Sequence, residues 1–333
     1  MTLAEAVLAL MWVGLTAYTL FGGADFGAGG WDLVAGGAVS GAGRRALVEH
    51  SIGPVWEANH VWLIFVLVVL WTGFPAVFAA IASTLYLPLT AAALGIIARG
   101  SAFAFRKSVE PLALRRFFGA GFAFSSVVTP FFLGTVAGAV ASGRVPPGIA
   151  KGDIVRSWLN PTSVFGGVLA VATCAYLAAV FLCADAQRTG DSALVAWFRA
   201  RAVVSALMVG GLALGGIAVL RADAPLLFSG LTHRGLPLVV LSGFAGLASI
   251  LLLLRHRLVA ARAAAGLAVT AVIWGWAAAQ YPWMLPPELT IAQAAAPRTT
   301  LVAMLVSLIV GAVLLIPSLG LLFTLFQRAP RKP

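Results

Sequence analysis

The sequence predicts an all-α polytopic membrane protein of about nine transmembrane helices, N-terminus outside and C-terminus inside. Three observations carry that prediction. Of the 333 residues, 61% are hydrophobic and only 10% are charged. About nine apolar stretches approach the roughly 20 residues a helix needs to cross a bilayer, and short loops join them. The positive charges alternate between loops: Arg44, Arg45, Arg99, Arg106, Lys107, Arg115, Arg116, Arg188, Arg199, Arg201, Arg255, Arg257, Arg262, Arg328, Arg331 and Lys332 fall on one side, and Arg144, Lys151, Arg156, Arg221, Arg234 and Arg298 on the other. Loops rich in Lys and Arg stay cytoplasmic. The formal net charge of +11 is therefore a topology signal and not a nucleic-acid footprint.

The first span begins near Leu3. Residues 1–20 lack Lys and Arg and contain Glu5, so the helix is expected to be retained and not cleaved as a secretory signal. It is apolar to Phe21 and then changes at Gly22-Gly23-Ala24-Asp25-Phe26-Gly27-Ala28-Gly29-Gly30-Trp31-Asp32. Read as a continuing helix, Gly23 and Gly27 form a small-xxx-small face for close helix approach, and Asp25 and Asp32 return to one side. Read otherwise, the span ends near Gly22 in a Gly-rich loop.

A basic loop with Arg44 and Arg45 leads to Gly53-Pro54-Val55-Trp56-Glu57-Ala58-Asn59-His60-Val61-Trp62 and the apolar run 63–74. Pro54 suits the first turn of this helix. Glu57 and His60 are helix-surface neighbours at i, i+3. Ionisable groups at membrane depth cost about 2.5–3.5 kcal/mol each on insertion scales, which marks Glu57 as a functional candidate. Burial would raise its pKa and let it carry a proton as a neutral acid. A structural ion pair or a helix-start carboxylate favoured by the dipole is the equal alternative.

The third span is read over 77–97 with a kink at Pro88, followed by Arg99 and Arg106, which would snorkel to the interface or pair with a buried acid. The fourth covers 117–141, and residues 142–160 form the longest outer loop. The fifth, 161–182, holds Cys174 and ends at Cys183, some 13 Å further along a helix, too far for a disulfide. Asp185 reads as a solvated end residue. Spans 203–220, 236–254 and 263–281 are nearly devoid of polar groups, with Trp274, Trp276 and Trp283 at the outer end, and the ninth is 300–326.

Several chemistries find little footing. A di-iron bundle would need a second Glu-x-x-His pair, and a bis-histidine haem would need another intramembrane histidine beside His60, whereas His50, His233 and His256 fall in loops. Phosphate loops, cysteine clusters and nucleophile elbows are absent from the sequence. A proton-coupled small-solute transporter remains a second reading, although the Gly-rich break has no counterpart in the later spans.

Phe21-Gly22-Gly23-Ala24-Asp25-Phe26-Gly27 and the Gly53 to Ile64 stretch resemble subunit II of the cytochrome bd-type quinol oxidases, as do Gly134-Thr135-Val136-Ala137-Gly138, Leu159-Asn160-Pro161 and Gly166-Gly167. The resemblance runs over essentially the whole chain. It implies one integral membrane domain, residues 1–333, of two four-helix bundles plus a peripheral helix: 1–141, then the outer loop 142–160, a second bundle 161–282, and 283–333 with the last helix and basic tail. It implies a bacterial or archaeal cell membrane and a haem-bearing subunit I with haem b and haem d, oxidising quinol and reducing oxygen. A small accessory subunit and a structural quinone or lipid are further candidates that no motif here assigns. No catalytic residue and no metal site is expected in this chain. Its expected tasks are to hold subunit I and to line a cytoplasmic proton route through Glu57, with Asp25 and His60 supporting the path.

Overall fold

The structure, a computed structural model, describes residues 1–37, 39–53, 56–109 and 111–327. Pro54 and the tail residues Arg328, Arg331 and Lys332 lie outside them. Nine helices among the described residues are long and apolar enough to cross a membrane.

The first span, Leu3–Leu33, is continuous through the Gly-rich motif. It comprises α1 (Leu3–Ala17), a π-helical turn (Tyr18–Gly22) and α2 (Gly23–Leu33). Thr2 opens it with a capping box, its hydroxyl accepting from Glu5 N–H while the Glu5 carboxylate accepts from Thr2 N–H. Next come α3 (Ala42–Ile52), α4 (Trp56–Gly73), α5 (Pro75–Thr84), α6 (Tyr86–Ser108) and α7 (Leu112–Ala141). The second half holds α8 (Pro161–Thr189), α9 (Ser192–Asp223), α10 (Pro225–Thr232), α11 (Leu236–Leu254), α12 (Leu258–Gln280), α13 (Ile291–Ala294) and α14 (Arg298–Gln327). A two-stranded hairpin, Trp283–Leu285 with Leu289–Thr290, precedes α13.

One predicted span is corrected. Residues 77–97 are not a single kinked helix, because the chain breaks at Leu85 (φ −105°, ψ 26°) and the spanning helix is α6. Pro88 causes the break: it has no N–H to give the Thr84 carbonyl, and its ring would collide with it. In the first turn of α6 that missing donor is harmless, so no mid-helix kink results. The sixth span also starts earlier than expected, at Ser192, because Arg201 lays its guanidinium 3.3 Å from the Trp197 ring centroid and does not end the helix.

Packing follows chain order, with α6 on α7, α8 on α9 and α11 on α12, while α2 lies against both α7 and α8. Glycines set the close crossings. A Cβ at Gly27 would lie 1.9 Å from the Cys174 carbonyl oxygen, and one at Gly134 would lie 2.5 Å from that of Gly166. The ninth helix, α14, is peripheral and touches α1 and α4, where Met304 packs over Gly73. Trp276 meets Trp12 edge-on at 5.0 Å, and Trp274 donates to the Thr16 hydroxyl, so these tryptophans join the eighth helix to the first. Asp185 is corrected as well: it is an ion-pair partner of Arg262 on α12 at 3.3 Å, not merely solvated.

Candidate functional site

The polar residues of the N-terminal quarter converge on a buried seam between α2, α6 and α7. Asp25 is buried and so is Arg99. Arg99 Nη2 donates to Asp25 Oδ1 at 2.7 Å and to the Asp25 carbonyl at 3.2 Å, and Nη1 donates to Oδ2 at 3.1 Å. Its Nε donates to Ser126 Oγ at 2.9 Å, and that hydroxyl donates to the Phe122 carbonyl. Four of the five guanidinium N–H groups are thus engaged. The Phe26 and Phe122 rings lie 4.9 and 4.8 Å from the guanidinium carbon, where ring quadrupoles favour a cation.

A second pair repeats the first two turns along. Arg106 Nη1 lies 2.7 Å from Asp32 Oδ2, and the two acids and the two arginines are each seven residues apart. Seven residues is about 10.5 Å of helix rise, so α2 and α6 run in the same direction with two ladder rungs between them. The lower rung is wider: Arg45 lies 3.8 Å from Asp32, and Arg106 reaches Glu49 at 3.3 Å. Arg99 therefore does not snorkel to the interface. A desolvated guanidinium persists there because a carboxylate and a hydroxyl accept its hydrogen bonds.

The π-helical turn Tyr18–Gly22 sets the phase of α2. Its wider ladder loosens carbonyls, and the buried Asn59 side chain donates to one of them, Phe21 O, at 3.3 Å. Tyr18 is buried with a hydroxyl that has no protein partner, and the Thr129 hydroxyl across the seam is in the same state. His60 stands at this end of α4, half-buried, its Nδ1 2.9 Å from the Trp56 carbonyl. The Tyr18, Phe26 and Trp56 rings surround it with centroids 6.1–6.5 Å away.

Glu57 departs from the expectation of burial. It is exposed on the chain's own surface, and among the described residues it has no ion-pair or hydrogen-bond partner. It heads a stripe on α4 that continues with Val61, Ile64, Val68 and Trp71, each about half exposed. Among the described residues of this quarter, Asp25, Asp32 and Glu49 pair with arginines, Glu5 is held by Thr2 and Tyr281, and Glu57 is the acid left without a partner. His60 turns into the seam while Glu57 faces away from it, so the Glu-x-x-His spacing does not bring the two to one site. Of the two readings of Arg99, pairing with a buried acid is the one the structure shows, and the acid, which the sequence did not name, is Asp25. Tyr18, Asn59 and Ser126 carried no signal in the sequence, because their parts depend on the π turn and on the α2–α7 crossing.

Among the described residues, no group of three or more His, Cys, Asp or Glu side chains is placed to hold a metal ion.

Fold and seam together define a polytopic helical membrane protein with a buried polar seam among its first, third and fourth spans and an exposed face on its second. The chain belongs to the family of cytochrome bd terminal oxidase subunit II, whose profile matches residues 3–326. The cytochrome bd ubiquinol oxidase subunit 2 of Bacillus subtilis is 29% identical over 204 residues, 60% of this chain and 57% of that one. The cytochrome bd-I ubiquinol oxidase subunit 2 of Escherichia coli K12 is 28% identical over 176 residues, 50% of this chain and 45% of the relative. The chain thus spans about half the length of these relatives. A chain of the bd oxidase of Geobacillus thermodenitrificans superposes with a TM-score of 0.75 at 26% identity, covering 98% of this chain and 99% of that one. Nothing in these matches supports a solute transporter.

Proposed function

We propose that this chain is the subunit II of a membrane quinol oxidase, that it holds a haem-bearing subunit I against the α4 face, and that it delivers protons there through Glu57. The observation that carries the reading is Glu57 itself: an unpaired carboxylate at the head of an exposed apolar stripe. Lipid is a poor cover for such a group, and a partner helix with polar atoms opposite it is a good one. Haem b and haem d are placed in the partner, as the resemblance to the family implies; when bound there, they supply the electron transfer and oxygen chemistry. The chain's own work is electrostatic and protonic. Glu57 takes a proton from the side where the basic loops gather, read as the cytoplasm with the N-terminus outside. His60 offers Nε2 to the seam while Nδ1 donates to the Trp56 carbonyl, and Asp25, held in place by Arg99, orients the hydrogen-bonded path.

The test is Glu57→Gln in the complex purified through a tag on this chain. Haem bands, a second large subunit and a rate of oxygen reduction lowered about 10²-fold or more, with an altered pH dependence, are expected, as for loss of a proton-transfer group. A colourless single chain overturns the assembly reading, and an unchanged rate and pH profile overturn the proton role.

A further inference from the structure

At the end of the molecule where α9 begins and α11 stops, a cavity of about 300 Å³ opens between the two helices, lined by Ala196, Arg199, Ala200, Val203 and Leu254. Its floor is apolar and its rim is cationic. Arg199 Nη1 meets the imidazole of His256 at Nε2, across the gap between the helices. An imidazole carries no negative charge, so the contact holds the guanidinium without compensating it. His256 occupies the left-handed region (φ 57°), a conformation that non-glycine residues rarely take, and so presents its ring to α9.

Arg255 and Arg257 flank that histidine, and both are exposed. Among the described residues, no carboxylate pairs with Arg199, Arg255 or Arg257, since the neighbouring acids are engaged elsewhere. Asp191 caps α9 by accepting from Ala193 N–H and Leu194 N–H, and Asp185 is held by Arg188 and Arg262. Below the rim, Val204, Leu207 and Leu251 form an exposed apolar wall running into the membrane.

We propose that this cavity is a binding site for an anionic phospholipid. The phosphate sits against Arg199 in the field of Arg255 and Arg257, and an acyl chain follows Val204, Leu207 and Leu251. Charge complementarity and the apolar wall together select this occupant: a free anion would use the rim alone, and a zwitterionic lipid would bring its own cation to the three arginines. The inference needs neither the proton route nor the choice of membrane side.

The experiment is native mass spectrometry of the complex purified through this chain, delipidated and titrated with dioleoylphosphatidylglycerol or dioleoylphosphatidylcholine. One tightly retained phosphatidylglycerol is expected, with its affinity lowered about fivefold by Arg199→Gln, the order expected for one interfacial cation. Arg199→Lys is expected to keep most of the affinity, because Lys holds phosphate as a point charge. Arg115→Gln, at the start of α7 and away from this cavity, is expected to change nothing. Equal retention of both lipids, equal losses from Arg199→Gln and Arg115→Gln, or displacement by inorganic phosphate alone overturns the proposal. Haem content and thermal midpoint of each variant, unchanged, show that the loss is of lipid and not of fold.

Discussion

Breaking the Asp25–Arg99 pair is the most demanding test of the seam. Arg99→Gln removes a guanidinium that gives three hydrogen bonds to Asp25 and one to Ser126, and it leaves a carboxylate at 4% exposure with no counter-charge. Removing one partner of a buried pair costs about 3–5 kcal/mol, most of it the cost of the charge left behind. Asp25→Asn strands the arginine in the same way. The double variant Asp25→Asn/Arg99→Gln leaves two neutral amides and strands no charge, so its loss is expected to fall well below the sum of the singles. The assay is a double-mutant cycle on the thermal midpoint and yield of the assembled complex in detergent. Parallel removal of the Asp32–Arg106 rung, which is slightly more exposed and shares Arg45 and Glu49, is expected to cost less. Additive losses, or a costlier lower rung, would refute the reasoning.

Gly27→Ala is expected to disrupt the α2–α8 crossing and lower complex yield, while Gly210→Ala, where no atom lies within 4 Å of a new Cβ, is expected to leave it unchanged; tagged-complex yield compares them. Tyr18→Phe deletes a buried hydroxyl without a protein partner, and such groups cost about 1–3 kcal/mol when unmet. The thermal midpoint is therefore expected to hold or rise, and a fall would show that water holds the hydroxyl. In the loop 142–160, Asp153 accepts from Arg156 N–H at 2.7 Å and Val155 N–H at 2.8 Å, and these backbone bonds lower its pKa. A lowered carboxylate contributes above the ordinary aspartate range and is lost as pH falls through its folded value. The mobility of a spin label placed in this loop is accordingly expected to rise as pH falls below the ordinary aspartate range in the native chain and to be flat with pH in Asp153→Asn.

The nine spans were legible because hydropathy and loop charge are summed over many residues, and local errors cancel. Continuity of the first span through its glycines was also readable, since Gly23 and Gly27 share one face, and that face is where α8 approaches. The break at Leu85 was harder, because Pro88 is compatible both with a kink and with a helix start, and the packing of α5 decides between them. Arg99 looked like an interfacial cation when read alone. Its partner lies 74 residues earlier in the chain, and a long-range pairing of that kind has no local periodicity. Glu57 was recognisable as an acid in an apolar setting, but the sequence does not say which way a carboxylate faces on a helix that is apolar all round.

The same interval of 74 residues has a consequence for how the chain is made. Asp25 enters the membrane with the first span, and its counter-charge does not exist until Arg99 has been synthesised. At roughly 5–20 residues per second, the acid waits about 4–15 seconds for its base. During that interval the first helix carries an uncompensated carboxylate and is less committed to the bilayer than its hydropathy indicates. Arrival of the third span supplies the counter-charge, so a chain that stalls before residue 99 holds the acid without its base.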